Sequence, residues 1–505
     1  MNQRKMGAVL SYVNIFLSIL VGLVYTPIML RLLGQSEYGL YSLIGSFVSY
    51  LSVLDLGLGN TIIRYTARNR AIGDKRHESE LNGLFLLVYS CIGFLTIIIG
   101  GIFYTHIDDI FGAVLDAAEM DRARIMMILL VFNFSISFPL GIFGSIIQAY
   151  ERFVFLRVIN IIRVLLNPCI VIPLLFRGYG SVMMVIISTL LNISCLLVTW
   201  WYALVKLQVH FSRGKFEKTF LLEIAGYSLF IFLNAIMDKV YWGTGQFVLG
   251  VVSGTMDVAI YAIAMQFMLM YMQFSNAISG VLLPQVTVMV AECVKVDKLT
   301  SLMIKIGRLQ YLIIGYILSM FLLLGRSFLY LWAGEAYMDA YPMVLLLMFS
   351  MFIPLVQNTG IAILQAMNLN RYRMTMYSLA AVANIIVCVP LAKTFAGMGC
   401  AIATSLALFV STGYVMNRYY YKKIGIDIFA FWKNISRMAF FPSLLVVVLF
   451  ILDIWLSCAY TWTFFIAQAM GYSLLYALVV WSFSMNSYEK NFFYKALSKL
   501  TGGSL

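Results

Sequence analysis

GSVMMVIISTLLNISCLLVTWWYALV, residues 180–205, runs for twenty-six residues without a charged side chain. A helix that crosses the ~30 Å hydrocarbon core of a bilayer needs about 20 such residues. Two other runs, 81–104 and 436–457, are similarly long and apolar. A transmembrane barrel would instead show segments of roughly ten residues with alternating polarity. The composition agrees: of 505 residues, 62% are hydrophobic and 11% charged, against about 45–50% and about 25% in soluble domains. A soluble chain of this length would divide into domains, each needing its own polar surface. Soluble enzymes, disordered chains and disulfide scaffolds are therefore excluded, and an all-α integral membrane protein is expected.

Reading the apolar runs against their charged breaks gives fourteen spans: 6–30, 40–64, 81–104, 125–149, 153–176, 180–205, 222–250, 258–290, 302–325, 342–368, 372–394, 398–420, 436–457 and 461–484. The first run follows Arg4 and Lys5 but is too long for a signal peptide and lacks a small-x-small cleavage site, so it reads as an uncleaved span. With the N-terminus inside, 27 of the 35 Lys and Arg fall on the inner side, six on the outer side, and Arg163 and Lys239 within spans. The acids divide ten to ten, with Asp55 and Asp238 within spans. A cation bias without an acid bias is the positive-inside pattern. It places both termini in the cytoplasm of a multi-pass protein and explains the net charge of +13 as topology anchors and contacts to anionic lipids. Nucleic acid would need the cations on one soluble face and is not expected as a partner.

The seven cysteines, at 91, 169, 195, 293, 388, 400 and 458, lie almost all within spans and form no C-x-x-C. They read as small packing residues. His77, His106 and His210 are isolated in loops, and no G-x-x-x-x-G-K-[ST] occurs, so neither a metal site nor that route to ATP hydrolysis is expected. Asp108-Asp109 reads as a solvated acidic loop. The outer loops, the longest at about 105–124 and 326–341, are too short for a catalytic domain.

An internal repeat pairs the two halves. At an offset of 217, Gln148/Gln365, Ala149/Ala366, Asn167/Asn384, Pro173/Pro390, Leu174/Leu391, Gly180/Gly397 and Ser188/Ser405 coincide. Near 220, Gly34/Gly254, Tyr41/Tyr261 and Phe47/Phe267 follow. This divides the chain into a six-span bundle at 1–205, a basic cytoplasmic linker at 206–221, a second six-span bundle at 222–420, and a C-terminal part at 421–505 with two extra spans. Six is even, so the halves share one orientation and are related about the membrane normal, as in parallel-repeat transporters. Eight of nine prolines fall in the interior of spans and Pro342 at the first residue of one; interior prolines kink helices whose freed carbonyls find other donors.

PIMLRLLGQSEYGLYSLIGSF (27–47) and LSVLDLGLGNTIIRYTARNRAIGDKRH (51–77) resemble the start of the polysaccharide transporters, the Wzx-type oligosaccharide flippases of the multidrug/oligosaccharidyl-lipid/polysaccharide exporter superfamily. Their pattern R-x-L-G-x-x-x-Y-G falls on Arg31, Leu33, Gly34, Tyr38 and Gly39, and D-x-G-L/I-G on Asp55, Gly57 and Gly59. FVLGVVSGTMDVAIYAIAMQF (247–267) resembles the family's span 7–8 turn. The chain departs from the pattern in YWGTGQFVLG (241–250), which carries extra glycines after Asp238-Lys239.

A charge at mid-bilayer costs a few kcal/mol or more unless it faces a cavity or a partner. Arg163, Asp238 and Lys239 are candidates for a wet interior. Asn234, Asp238 and Tyr241 recur at i, i+4, i+7 on span 7, and Gln266, Gln273 and Asn276 form a similar face on span 8. The bland alternative for these amides is interhelical hydrogen bonding. Asp55 reads as a cap or partner beside the Gly57–Gly59 turn.

The resemblance implies a non-enzymatic flippase of the bacterial inner membrane. It would translocate a polyprenyl-pyrophosphate-linked oligosaccharide, a precursor of O-antigen, capsule or exopolysaccharide, by alternating access. Other polysaccharide-assembly proteins are its expected partners. No organic cofactor is implied; an H+ or Na+ gradient is the energy source some members use, with Asp238 as candidate coupling carboxylate. A multidrug or metabolite exporter of the same superfamily, and a non-catalytic protein of cell-envelope assembly, remain the alternatives.

Overall fold

A computed structural model describes residues 3–214, 216, 218–292, 296–367, 369–455 and 461–500. Lys215, Cys293, Lys295 and Cys458 lie outside the described residues, as do the side chains of Arg4, Lys5 and Pro284. Among the described residues every regular element is helical. In chain order the first helices are α1 (Gln3–Leu33), α2 (Gln35–Ser49), α3 (Leu58–Ile72), α4 (Lys75–Thr105), α5 (Ile107–Phe111), α6 (Ala117–Ala149), α7 (Phe153–Phe176), α8 (Ser181–Trp201) and α9 (Lys218–Val252). Then follow α10 (Thr255–Ala291), α11 (Val296–Trp332), α12 (Ala340–Val356), α13 (Asn358–Ala366), α14 (Asn370–Leu408), α15 (Met416–Tyr419), α16 (Ile428–Trp455), α17 (Trp462–Val479) and α18 (Ser487–Leu500).

Among the described residues, eleven helical stretches are long and apolar enough to cross a membrane, or twelve if the bent pair α12–α13 counts as one span. The expectation of fourteen differs in two places. It divides Arg371–Ile424, a 54-residue stretch, at Ala396, where φ is 47° and ψ −129°. It also counts α9. Side chains such as Phe16, Phe176 and Leu474, 66–70% exposed in the protein alone, present the apolar surface that lipid covers in a multi-pass protein.

Contacts group the chain into two compact units, one of residues 1–262 with 385–400, the other of 263–384 with 401–505. In the first, α1 packs on α7, while α4 and α8 pack on α6. Gly7 permits the α1–α7 approach: an added Cβ would come within 2.6 Å of Phe153. The core of this unit includes Ile62, Leu81, Phe85, Ile142 and Ile146, all almost fully buried.

In the second unit, α11 packs on α12, α16 and α17. The α12–α13 break bends by 43° after Pro354, which removes a backbone donor. The carbonyl of Leu355 accepts the Ser275 hydroxyl at 2.9 Å. With its amide turned to suit its neighbours, Gln310 donates to the carbonyls of Leu355 at 3.0 Å and Val356 at 2.8 Å. Side chains thus replace the lost helical bonds, as a broken helix inside a bilayer requires.

The offset of 217 has a local echo. Asn167 donates to Ser188 at 3.0 Å, and its counterpart Asn384 donates to Thr404 at 3.4 Å, one residue short of Ser405.

Candidate functional site

Helix α7 is almost wholly apolar, yet Arg157, Asn160 and Arg163 recur on it at i, i+3, i+6. Facing them, α6 offers Gly141, Gly144, Ser145 and Gln148, and α8 offers Asn192, Cys195, Leu196 and Thr199, both at i, i+3, i+4, i+7. Each set is one helix face. Together they line a cavity of about 330 Å³ within the first unit. The glycines make the room: a Cβ added at Gly141 or Gly144 would meet nothing within 4 Å.

Arg163 is aimed by a polar chain. Its Nη1 donates to Asn192 Oδ1 at 2.9 Å. The Asn192 amide donates to Asn133 Oδ1 at 2.8 Å and to Ser137 Oγ at 2.9 Å. All these partners are neutral, so the guanidinium charge is hydrogen-bonded but not cancelled. Among the described residues, two arginines and no acid line the cavity. Such a site favours an anion, and the planar guanidinium fork matches phosphate oxygens.

The remaining candidates lie on α9 and α10. Asp238 is exposed, Lys239 and Asn234 are half-buried, and Tyr241 is almost fully buried at 1% exposure. Asp238 and Lys239 interact through their charges, while the Tyr241 ring meets Trp242 edge-on at 4.8 Å. The i, i+4, i+7 spacing therefore gathers one face without giving its members one depth. Gln266 and Gln273 are half-buried and Asn276 exposed. Asn276 accepts from Asn358 at 3.0 Å, and Asn358 also donates to Ser275 at 3.2 Å. Asn276 thus belongs to the polar cluster at the α12–α13 break. Sequence reasoning missed that cluster, although Q-N-T-G at 357–360 inside an apolar run marks it.

The motif residues build the first unit. Arg31 closes α1, and Gly34 turns the chain at φ 80°, a conformation that favours glycine. Tyr38 is buried. Gly39 lets the Thr255 carbonyl approach to where a Cβ would stand at 1.8 Å. Asp55 accepts the Tyr89 hydroxyl at 2.7 Å. Gly57, at φ 69°, lies against Ile231, and Gly59 against Ser145. The extra glycines of 241–250 have the same purpose: Cβ atoms at Gly243 and Gly245 would strike the Tyr50 and Tyr261 hydroxyls at 2.8 and 2.6 Å.

Sequence reasoning also missed Arg157, which sits near the end of a span and was indistinguishable there from a topology cation. Asn192 and the two glycines were hidden because each is unremarkable until its helix face is set against α7.

The fold is similar to those of two solved transporters. One is the lipid II flippase MurJ in an inward closed conformation, with a TM-score of 0.72 over 97% of this chain and 99% of that one at 12% identity. The other is a multidrug resistance MATE family transporter of the MOP superfamily in an inward-facing conformation, with a TM-score of 0.62 over 80% and 94% at 15% identity. In sequence, the chain is 23% identical over 245 residues to the "Putative O-antigen transporter" of Shigella flexneri, covering 46% of this chain and 54% of that protein. The match thus spans about half the length of that curated relative. The model of the polysaccharide biosynthesis protein family matches residues 5–289, more than half of the chain. This multi-pass, all-helical chain belongs to the polysaccharide biosynthesis protein family.

Proposed function

We propose that this chain is a flippase, not an enzyme, that carries a polyprenyl-pyrophosphate-linked oligosaccharide across the bacterial cytoplasmic membrane by alternating access. The observation that carries this reading is the cavity with Arg157 and Arg163 in its wall and no acid among the described residues that line it. A pyrophosphate entering the membrane loses its hydration, and fixed guanidinium groups replace part of it. At about 330 Å³ the cavity is at the small end of ligand pockets, which run ~300–1,000 Å³. It holds the charged end of the substrate and leaves the polyprenyl tail in lipid. Family membership, the name of the Shigella relative and the likeness to a lipid II flippase support the same substrate class. A cationic drug would require acids where the two arginines stand.

In this reading the six-span halves rock against each other, both termini are cytoplasmic, and Asp238 is the coupling carboxylate for H+ or Na+. A reporter fused after Lys499 tests the orientation; a periplasmic signal overturns it. The function is tested in a deletion strain complemented with the Arg157→Ala/Arg163→Ala double variant at equal membrane expression. Surface polysaccharide should fall at least tenfold while the lipid-linked precursor accumulates. Wild-type surface polysaccharide would overturn the proposal.

A further inference from the structure

The first unit carries a second polar cavity, of about 430 Å³, where the α3–α4 turn, the end of α6 and the segment after α8 converge. Its floor is Asn82, 1% exposed, whose Oδ1 has no hydrogen-bond partner among the described residues. A buried acceptor without a donor costs stability, so the atom points to a missing hydrogen-bond donor. The walls are held by specific contacts. Ser212 N–H donates to the Ser79 carbonyl at 3.0 Å, and Gly83 admits the Ser212 carbonyl where a Cβ would stand at 2.1 Å.

The rim is cationic. Arg70 donates to the Ala149 carbonyl at 3.1 Å and lies 3.8 Å over the Tyr150 ring, which fixes the guanidinium but leaves other N–H donors available. Lys75 and His210 also line the cavity. Neither side chain has a hydrogen-bond or ion-pair partner among the described residues. Glu78, the one acid among the described residues that line the cavity, is already engaged by the Tyr150 hydroxyl at 2.7 Å. Burial and Glu78 push the Tyr150 phenol up, so it stays a donor.

The geometry points to a binding site for a phosphorylated polyol, a group that carries a phosphate and neighbouring hydroxyls. The phosphate lies against Arg70, Lys75 and His210, and a hydroxyl donates to Asn82. This site is separate from the Arg157–Arg163 cavity and does not depend on the transport reading. Two sources share the chemistry: the glycerol-phosphate head of a membrane lipid and a soluble sugar phosphate.

The test uses the full chain in phosphatidylcholine nanodiscs, with sn-glycerol 1-phosphate and inorganic phosphate as probes followed by ³¹P line broadening. Saturable binding of glycerol phosphate, stronger than that of phosphate, is expected. Lys75→Gln/His210→Gln should weaken both at least tenfold. Asn82→Leu, which removes the orphan acceptor and keeps the branched shape of the side chain, should keep phosphate binding and abolish the preference for glycerol phosphate. Native mass spectrometry after delipidation separates the sources. A phosphatidylglycerol retained by the wild type and lost by the double variant assigns the lipid; equal retention assigns the soluble ligand. No saturable binding together with no lipid preference, unchanged binding in the double variant, or an unchanged preference in Asn82→Leu would overturn the proposal.

Discussion

Arg308 and Glu489 form a two-pronged ion pair, Nε to Oε1 at 2.5 Å and Nη2 to Oε2 at 2.9 Å, with side chains 9% and 1% exposed. The same guanidinium donates to the carbonyls of Ser484 at 2.9 Å and Asn434 at 3.3 Å. Glu489 also starts α18: its Oε2 accepts the Asn486 N–H and its own N–H donates to Asn486 Oδ1, both at 2.9 Å. That is a reciprocal cap. One carboxylate therefore both begins α18 and ties it to α11.

Removing one partner of a buried pair leaves an uncompensated charge, at about 3–5 kcal/mol. Glu489→Gln should lower the thermal unfolding temperature but keep the cap. Glu489→Ala should lower it further and open Lys490 to trypsin in the folded protein. Equal trypsin resistance in wild type and Glu489→Ala would show that the pair does not hold α18.

The glycines separate into those that admit a neighbour and those that leave space. Gly39→Ala drives a Cβ toward the Thr255 carbonyl and is expected to destabilise by about 1–3 kcal/mol or more. Gly144→Ala meets open space on a helix and should stabilise by ~1 kcal/mol. Gly144→Leu should keep a wild-type unfolding temperature yet depress transport, because it fills the cavity. Thermal scans paired with surface polysaccharide measure both; transport unchanged in Gly144→Leu would remove this cavity from the mechanism.

Asp55 and Tyr89 form a hydrogen bond at 2.7 Å beside the left-handed Leu56–Gly57 turn. A hydrogen bond to a charged group contributes about 1.5–3 kcal/mol. Tyr89→Phe should cost that much in stability, and Asp55→Asn a similar amount. The double variant should cost less than the two added together. Additive losses would mean the residues stabilise the unit independently.

How far these features were legible follows from how each is encoded. Apolar runs declare spans because length and hydropathy are local properties. Arg163 stands out because a charge inside such a run has few explanations. The i, i+4, i+7 rule gives a face but not its depth, which is why Tyr241 is packed against Trp242 while Asp238 is exposed. The Arg308–Glu489 pair joins residues 181 positions apart, and no periodicity reports on that. Ala396 bends the chain directly before Gly397. Lys393 and Gly397 interrupt the apolar run there, so the sequence separates spans 372–394 and 398–420 at the same place.

Asn192 provides the sharpest separation of stability from transport. It accepts from Arg163 at 2.9 Å and donates to Asn133 and Ser137. Asn192→Asp keeps the shape and places a carboxylate against the guanidinium. Asn133 can turn its amide to donate, so the polar chain survives the change. An ion pair between the exposed Arg163 and a carboxylate at half-buried position 192 should leave the unfolding temperature equal to or above wild type. It also cancels one of the two cations that line the cavity, so an anionic substrate should be held less well. Transport should then fall at least tenfold, which corresponds to about 1.4 kcal/mol of lost interaction. Asn192→Leu removes the aim of Arg163 without cancelling its charge and should give a smaller transport loss with a lower unfolding temperature. The two variants are compared by melting curves and by surface polysaccharide at equal membrane expression. If Asn192→Asp transports as well as wild type, the charge of Arg163 has no part in recognising the substrate.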